Sequence, residues 1–131
     1  MFYTSLRVEL DDDLGNDGSG EWRLLAPLVY ESQAGVTYTV PTGFSCDFAS
    51  VPRIPVIYAL YGNRAHRPAV LHDYLLHSKE VTRRVADDLF YEAMLSVGMS
   101  ERHANAMHLA VRSYSAALEL EGPEGKGHEF I

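Results

Sequence analysis

Apolar and polar positions alternate loosely from Phe2 to Leu10, with Phe2, Thr4, Leu6, Val8 and Leu10 on one side. That period of two predicts a strand. Glu21 to Tyr30 resumes apolar character, and Pro27 argues against a regular central strand beyond that point. Val36-Thr37-Tyr38-Thr39-Val40 is β-branched or aromatic throughout, the composition of a pleated, half-buried strand, and Pro41-Thr42-Gly43 ends it. The first 40 residues therefore predict a small antiparallel sheet. From residue 67 the spacing changes to helical. One helix is expected from Arg67-Pro68 to about His77, with Pro68 suited to the first turn. A second runs from an N-cap at Thr82 to Val97-Gly98, with Gly98 as the left-handed stop. A third is capped by Ser100 and continues to about Leu118. Between the two halves, Phe44 to Pro55 is apolar without either period, which predicts an ordered loop against the core. The expected class is α+β: a small N-terminal antiparallel sheet, an ordered loop and a three-helix C-terminal half. Residues 1–121 are read as a single domain and residues 122–131 as a flexible Gly-rich tail.

Two polar residues interrupt the first helix. His72 and Asp73 stand in Ala69-Val70-Leu71-His72-Asp73-Tyr74-Leu75-Leu76, where His72 shares a face with Ala69, Leu75 and Leu76, and Asp73 with Ala69, Val70 and Leu76. Burying such groups costs several kcal/mol unless they are paired, hydrogen-bonded or metal-bound, so partners are expected. Helix two supplies one by its phase. Asp87 lies with Phe90 and Met94 and points inward, whereas Asp88 lies with Arg84, Tyr91 and Glu92, points outward and can pair Arg84. Asp47, in the ordered loop, is a further inward candidate, its alternative being a local structural turn with Ser50.

The four candidates Asp47, His72, Asp73 and Asp87 allow three readings. One imidazole with carboxylates suits a divalent metal such as Zn, Fe, Mn or Mg, and metal-bound water permits hydrolysis. Without metal, His72 held by a carboxylate is a general base, with Asp73 beside it. The third reading is a buried polar network that fixes helix packing, with Arg53, Arg83 or Arg112 as counter-charge. His66, His72-Asp73 and Asp87 also resemble the HD phosphohydrolase pattern, with the spacing compressed and His66 close to the helix start. A serine hydrolase is disfavoured because Ser50 sits in Ala49-Ser50-Val51-Pro52, without a Gly-x-Ser-x-Gly elbow. Cys46 beside Asp47 lacks the positive neighbour of a reactive thiolate. His108, with Ala104 and Val111, and His103 are read as satisfied core or interface histidines. Asp13, Gly15, Asp17 and Gly18 loosely follow a calcium-loop spacing, but Leu24 stands where the bidentate Glu belongs, so a solvated hairpin loop is expected.

Composition narrows the function classes. The 131 residues carry a net charge of −7, which argues against a grip on nucleic acid by phosphate neutralisation. One cysteine excludes an intrachain disulfide and fits a reducing compartment. No signal peptide and no membrane span are expected.

Several segments agree in order and spacing with a known family. Val40-Pro41-x-Gly43-Phe44-x-x-Asp47-Phe48-Ala49-Ser50-Val51-Pro52-Arg53, then Ala69-Val70-Leu71-His72-Asp73-Tyr74-Leu75, then Arg84-x-Ala86-Asp87-x-x-Phe90-x-x-Ala93-Met94 and Ala110-Val111-Arg112 resemble the DUF1353 family of small phage and prophage proteins. The resemblance runs from about residue 36 to 114 and selects Asp47, Ser50, Pro52, Arg53, His72, Asp73, Asp87 and Arg112. Cys46 departs from it, standing where the family more usually has Thr. The resemblance implies a bacteriophage context and no particular chemistry. Two functions stay open: a virion component of the tail, baseplate or tail tip, made in the host bacterial cytoplasm and docked on other phage structural proteins, or, on the Asp/His cluster alone, a small metal-dependent hydrolase of lysis or cell-wall penetration. Ser50, Arg53 and Arg112 belong to the structural network in the first of these.

Overall fold

A computed structural model describes residues 1–11, 21–46 and 66–120. The element order is β1 (Val8–Asp11), β2 (Glu21–Leu24), β3 (Leu28–Glu31), β4 (Thr37–Val40), β5 (Ser45–Cys46), α1 (His66–Ser78), α2 (Arg83–Ser96) and α3 (Glu101–Leu120). The fold is α+β, with antiparallel sheets at the N-terminus and three helices in the C-terminal half. The calcium-like loop, Asp47, Ser50, Arg53 and the tail from residue 122 lie outside the described residues.

The strands form a three-stranded sheet in the order β1-β2-β5 and a two-stranded sheet of β3 and β4, where a single sheet was expected. The division is local. Val8 pairs with Leu24 in one sheet, and Phe2 bridges Tyr30 on the other; both pairs belong to one register, their numbers adding to 32. Trp22↔Cys46 and Leu28↔Val40 likewise share a register, adding to 68. Both sheets thus follow one three-segment meander, broken where β2 gives way to β3 around Pro27. Proline has no N–H to place in a ladder, yet the strand resumes at Leu28, so Pro27 interrupts the strand and does not end it. Burial in the first segment keeps the predicted period: Phe2, Thr4, Leu6 and Val8 are partly buried and the residues between them exposed.

α1 is the central element. Pro68 to Asp73, Leu75 and Leu76 are all buried, because α1 packs on β3 and β4 on one side and on α2 on the other. Leu24, Leu28, Tyr30 and Val40 from the sheets meet Val70, Leu71, Leu75 and Leu76 of α1 and Ala86, Leu89 and Ala93 of α2. A second cluster, Ala69, Phe90, Met94, Met99, Ala104, Met107 and Val111, joins α1 and α2 to α3.

The helix ends follow local chemistry. Thr82 caps α2, its hydroxyl accepting from Val85 N–H at 3.2 Å. Thr82→Ala should therefore cost about 1 kcal/mol in a denaturant titration. Gly98 has φ +90°, the left-handed conformation that stops α2. Ser100 Oγ accepts from His103 N–H at 3.2 Å at the start of α3. α1 stops differently: Lys79 occupies the left-handed region at φ 59° while its N–H bonds Leu75 O, a role more often filled by Gly.

Candidate functional site

The helical phase of α2 puts Asp87 at the junction of the three helices, fully buried. Its carboxylate is surrounded by donors. His72 Nε2 of α1 lies 2.7 Å from Oδ1. From α3, Arg112 Nη1 donates to Oδ2 at 2.8 Å and the Ser115 hydroxyl donates to Oδ2 at 2.7 Å. Ser115 Oγ in turn accepts from Arg83 Nε at 2.7 Å. Phe90, one turn beyond Asp87, stacks on the His72 ring with centroids 4.7 Å apart and planes inclined by 25°. An ion pair with Arg112 and hydrogen bonds to His72 and Ser115 thus tie α1 and α3 to α2 through one carboxylate.

Electrostatics agree with this geometry. Burial pushes the Asp87 carboxyl up, but the hydrogen bond and charge of His72 and the hydrogen bonds of Ser115 and Arg112 outweigh it and hold the group below its ordinary value of 3.8. Burial pulls the Arg83 guanidinium down, opposed by the nearby Asp87 charge. A carboxyl whose folded pKa is depressed stabilises the fold above its unfolded pKa and loses that contribution as pH falls through the folded one. Asp87 should therefore contribute fully above about pH 5, progressively less as pH drops below 3.8, and nothing once the folded group is protonated. Melting the wild type and Asp87→Asn across that range should show the two curves converging at the acid end.

Asp73 is also buried but points elsewhere. His77, one turn on, donates from Nδ1 to the Asp73 carbonyl at 2.9 Å and lies 3.4 Å from Asp73 Oδ1. The His77 ring meets Phe44 edge-on at 5.9 Å. Of the candidate residues, the structure thus brings His72, Asp87 and Arg112 together and sets the Asp73 contact with His77 apart from them. Among the described residues, no group of three or more His, Cys, Asp or Glu is placed to hold a metal ion.

Asp88 points outward as its phase requires, but its partner is His108 of α3, at 2.9 Å, where Arg84 was expected. The Asp88 side chain is 57% exposed, so Asp88→Ala should change stability by no more than about 0.5 kcal/mol; a larger loss on denaturant unfolding would refute the outward placement. Glu92, read with Asp88 as outward, instead reaches the sheet. It accepts from the buried Tyr30 hydroxyl and, at 2.9 Å, from Gln33 N–H. Burial and this carboxylate push the Tyr30 phenol pKa well up. Ser115 was not anticipated. Its signal was a polar residue on the buried stripe of α3, with Ala104, Met107 and Val111.

The model of the family described as "Protein of unknown function (DUF1353)" matches residues 22–111, more than half of the chain, and the chain belongs to that family. It is similar to the uncharacterized protein y4jT of Sinorhizobium fredii (strain NBRC 101917 / NGR234), with 28% identity over 102 residues, which cover 76% of this chain and 30% of that protein. The chain thus spans less than a third of that relative's length. No solved structure matches it.

Proposed function

We propose that this DUF1353 chain is a virion-associated protein, a component of the tail, baseplate or tail tip whose Asp/His cluster holds a compact fold. The observation that carries the non-catalytic part is the occupancy of Asp87. Its oxygens receive His72, Arg112 and Ser115, and both the Asp87 and His72 side chains are at most 2% exposed. A carboxylate so enclosed by donors, one of them a guanidinium, suits holding helices together better than meeting a substrate. The phage context comes from the family resemblance, and the partners it implies are other phage structural proteins. Among the described residues no helix is long and apolar enough to cross a membrane, which is compatible with assembly into a particle. The test is proteomic. Particles induced from a strain carrying the gene and purified on a density gradient should contain the chain in fixed ratio to tail proteins. Its presence only in the soluble lysate would overturn the assignment.

A second reading, a small metal-dependent hydrolase acting in lysis or cell-wall penetration, is favoured by one observation. His72 Nδ1 is buried and has no hydrogen-bond partner among the described residues. With Nε2–H donating to Asp87, a neutral ring carries its lone pair on Nδ1, the arrangement in which a carboxylate orients a metal-binding imidazole. Asp87 then supports the ligand His72 and is not itself a ligand. Zinc, iron, manganese and magnesium measured by mass spectrometry on the purified protein separate the readings. Stoichiometric metal lost in an Asp47→Ala/His72→Ala variant favours the hydrolase. A metal-free protein whose variant is only less stable favours the structural network.

A further inference from the structure

α3 has two apolar faces, and the described residues cover one. Ala104, Met107, Val111 and Ser115 are buried against the rest of the molecule. At about 100° per residue, Ala106, Leu109, Ser113, Ala116 and Leu120 lie on the opposite side. They follow one another at alternating intervals of three and four, the heptad spacing of a helix that packs against another helix. Leu109 is 67% and Leu120 89% exposed. Ser113 and Ala116 are exposed and Ala106 is half-buried. No charged residue falls on this stripe from Ala106 to Leu120, a length of about 21 Å.

We propose that this face pairs with the same face of a second copy of the chain, antiparallel, about a two-fold axis. Antiparallel heptads pair unlike positions, and the register that overlaps residues 102–120 of the two helices satisfies this at every layer. Leu109 then stands opposite Ser113 of the second copy, and Ala106 opposite Ala116. Each of the four layers from Ala106 to Ala116 sets a larger residue against a smaller one or two small residues together, so the backbones can approach closely there. The ends decide the direction. Arg102, exposed and on the same side of α3, falls opposite Leu120 and next to Glu119 of the second copy, and the two-fold axis repeats that pairing at the other end. A parallel pair in register would put Arg102 on Arg102 and Glu119 on Glu119, a repulsion at both ends. The Glu119 carboxylate is about half exposed and lies 3.7 Å from Arg112 Nη2 of its own chain, loosely enough to take a second cation. This pairing stands apart from the virion reading and meets the Asp87 network only where Glu119 lies beside Arg112.

The test is the oligomeric state of the full chain by sedimentation velocity across a dilution series. The expected result is a reversible dimer. Leu109→Glu should raise its dissociation constant on the order of thirtyfold or more without lowering the melting temperature of the monomer. Arg102→Glu should weaken the dimer, and Arg102→Glu/Glu119→Arg should restore it. A wild-type monomer at every concentration overturns the proposal, as does a dimer indifferent to Leu109→Glu. A dimer broken by Leu109→Glu but insensitive to both charge variants overturns the antiparallel arrangement. A monomer that melts lower with Leu109→Glu would mean that the face is covered within the chain, and that too overturns the pairing.

Discussion

Asp87→Ala should lower the unfolding free energy by about 3 to 5 kcal/mol, the loss seen when one partner of a buried charge pair is removed. The reason lies in what remains. Arg112, with a side chain 18% exposed, loses its short contact to Asp87, and the Ser115 hydroxyl and His72 Nε2–H lose their acceptor at the same time. The cost is the desolvation of these orphaned groups more than the attraction once made between them. Two further variants separate these terms. Ser115→Ala removes one neutral donor and also frees Arg83 Nε, so it should cost about 1 to 3 kcal/mol. Combined with Asp87→Ala it should add less than its own value, because the two share a network. Equilibrium unfolding in urea with an unchanged m-value is the measurement. A loss below about 1 kcal/mol for Asp87→Ala would mean that water reaches the site and that the carboxylate does not join the helices.

How much of this site was legible in the sequence depends on how local each signal was. Asp87 could be placed inward because Phe90 and Met94 mark the buried stripe of its own helix, and that stripe is a property of fourteen consecutive residues. His72 could be marked as needing a partner for the same reason. Arg112 entered through the family resemblance and as one of three possible counter-charges. The choice of Arg112 and Ser115 as the groups that meet Asp87 depends on how α3 lies against α2, which no single-helix pattern contains. Glu92 shows the limit from the other side. On its own helix it belongs with Asp88, but Tyr30 of β3 projects a hydroxyl towards it, so an apparently solvated carboxylate becomes part of the contact between sheet and helix. In the sheet, the alternation from Phe2 to Val8 survives in the burial pattern, whereas the division at Pro27 and the late strand β5 do not follow from alternation. β5 is two residues long, too short to carry a period, and it is recognisable only by its register with Trp22 and Arg23. The helix boundaries were the most legible feature, since Thr82, Gly98 and Ser100 act through their immediate neighbours. Lys79 was not, because nothing in its side chain announces a left-handed turn.

Phe90→Ala should cost about 3 to 5 kcal/mol, an effect comparable to that of Asp87→Ala but of different origin. Phe90 is fully buried, and its ring lies among Ala69, Met94, Met107 and Val111 as well as against His72. Truncation leaves a cavity between three helices, and the flexible side chains of Met94 and Met107 can fill part of it, which places the loss towards the lower end of the range. Phe90→Leu tests the more specific role. It keeps most of the volume, so the stability loss should fall to about 1.5 kcal/mol or less, but it removes the flat surface against which the imidazole stacks. If stacking and the Asp87 hydrogen bond together fix the ring, the hydrogen bond alone should still hold the Nε2–H form of His72 in Phe90→Leu. In Asp87→Asn that preference should weaken even with Phe90 in place. Nitrogen-15 shifts of the imidazole in the wild type and both variants report the tautomer directly. Loss of the preference in Phe90→Leu but not in Asp87→Asn would reverse the assignment, making the aromatic contact the determinant and the carboxylate secondary. The distinction bears on function, because only a ring held at Nε2 by Asp87 presents Nδ1 as a fixed lone pair.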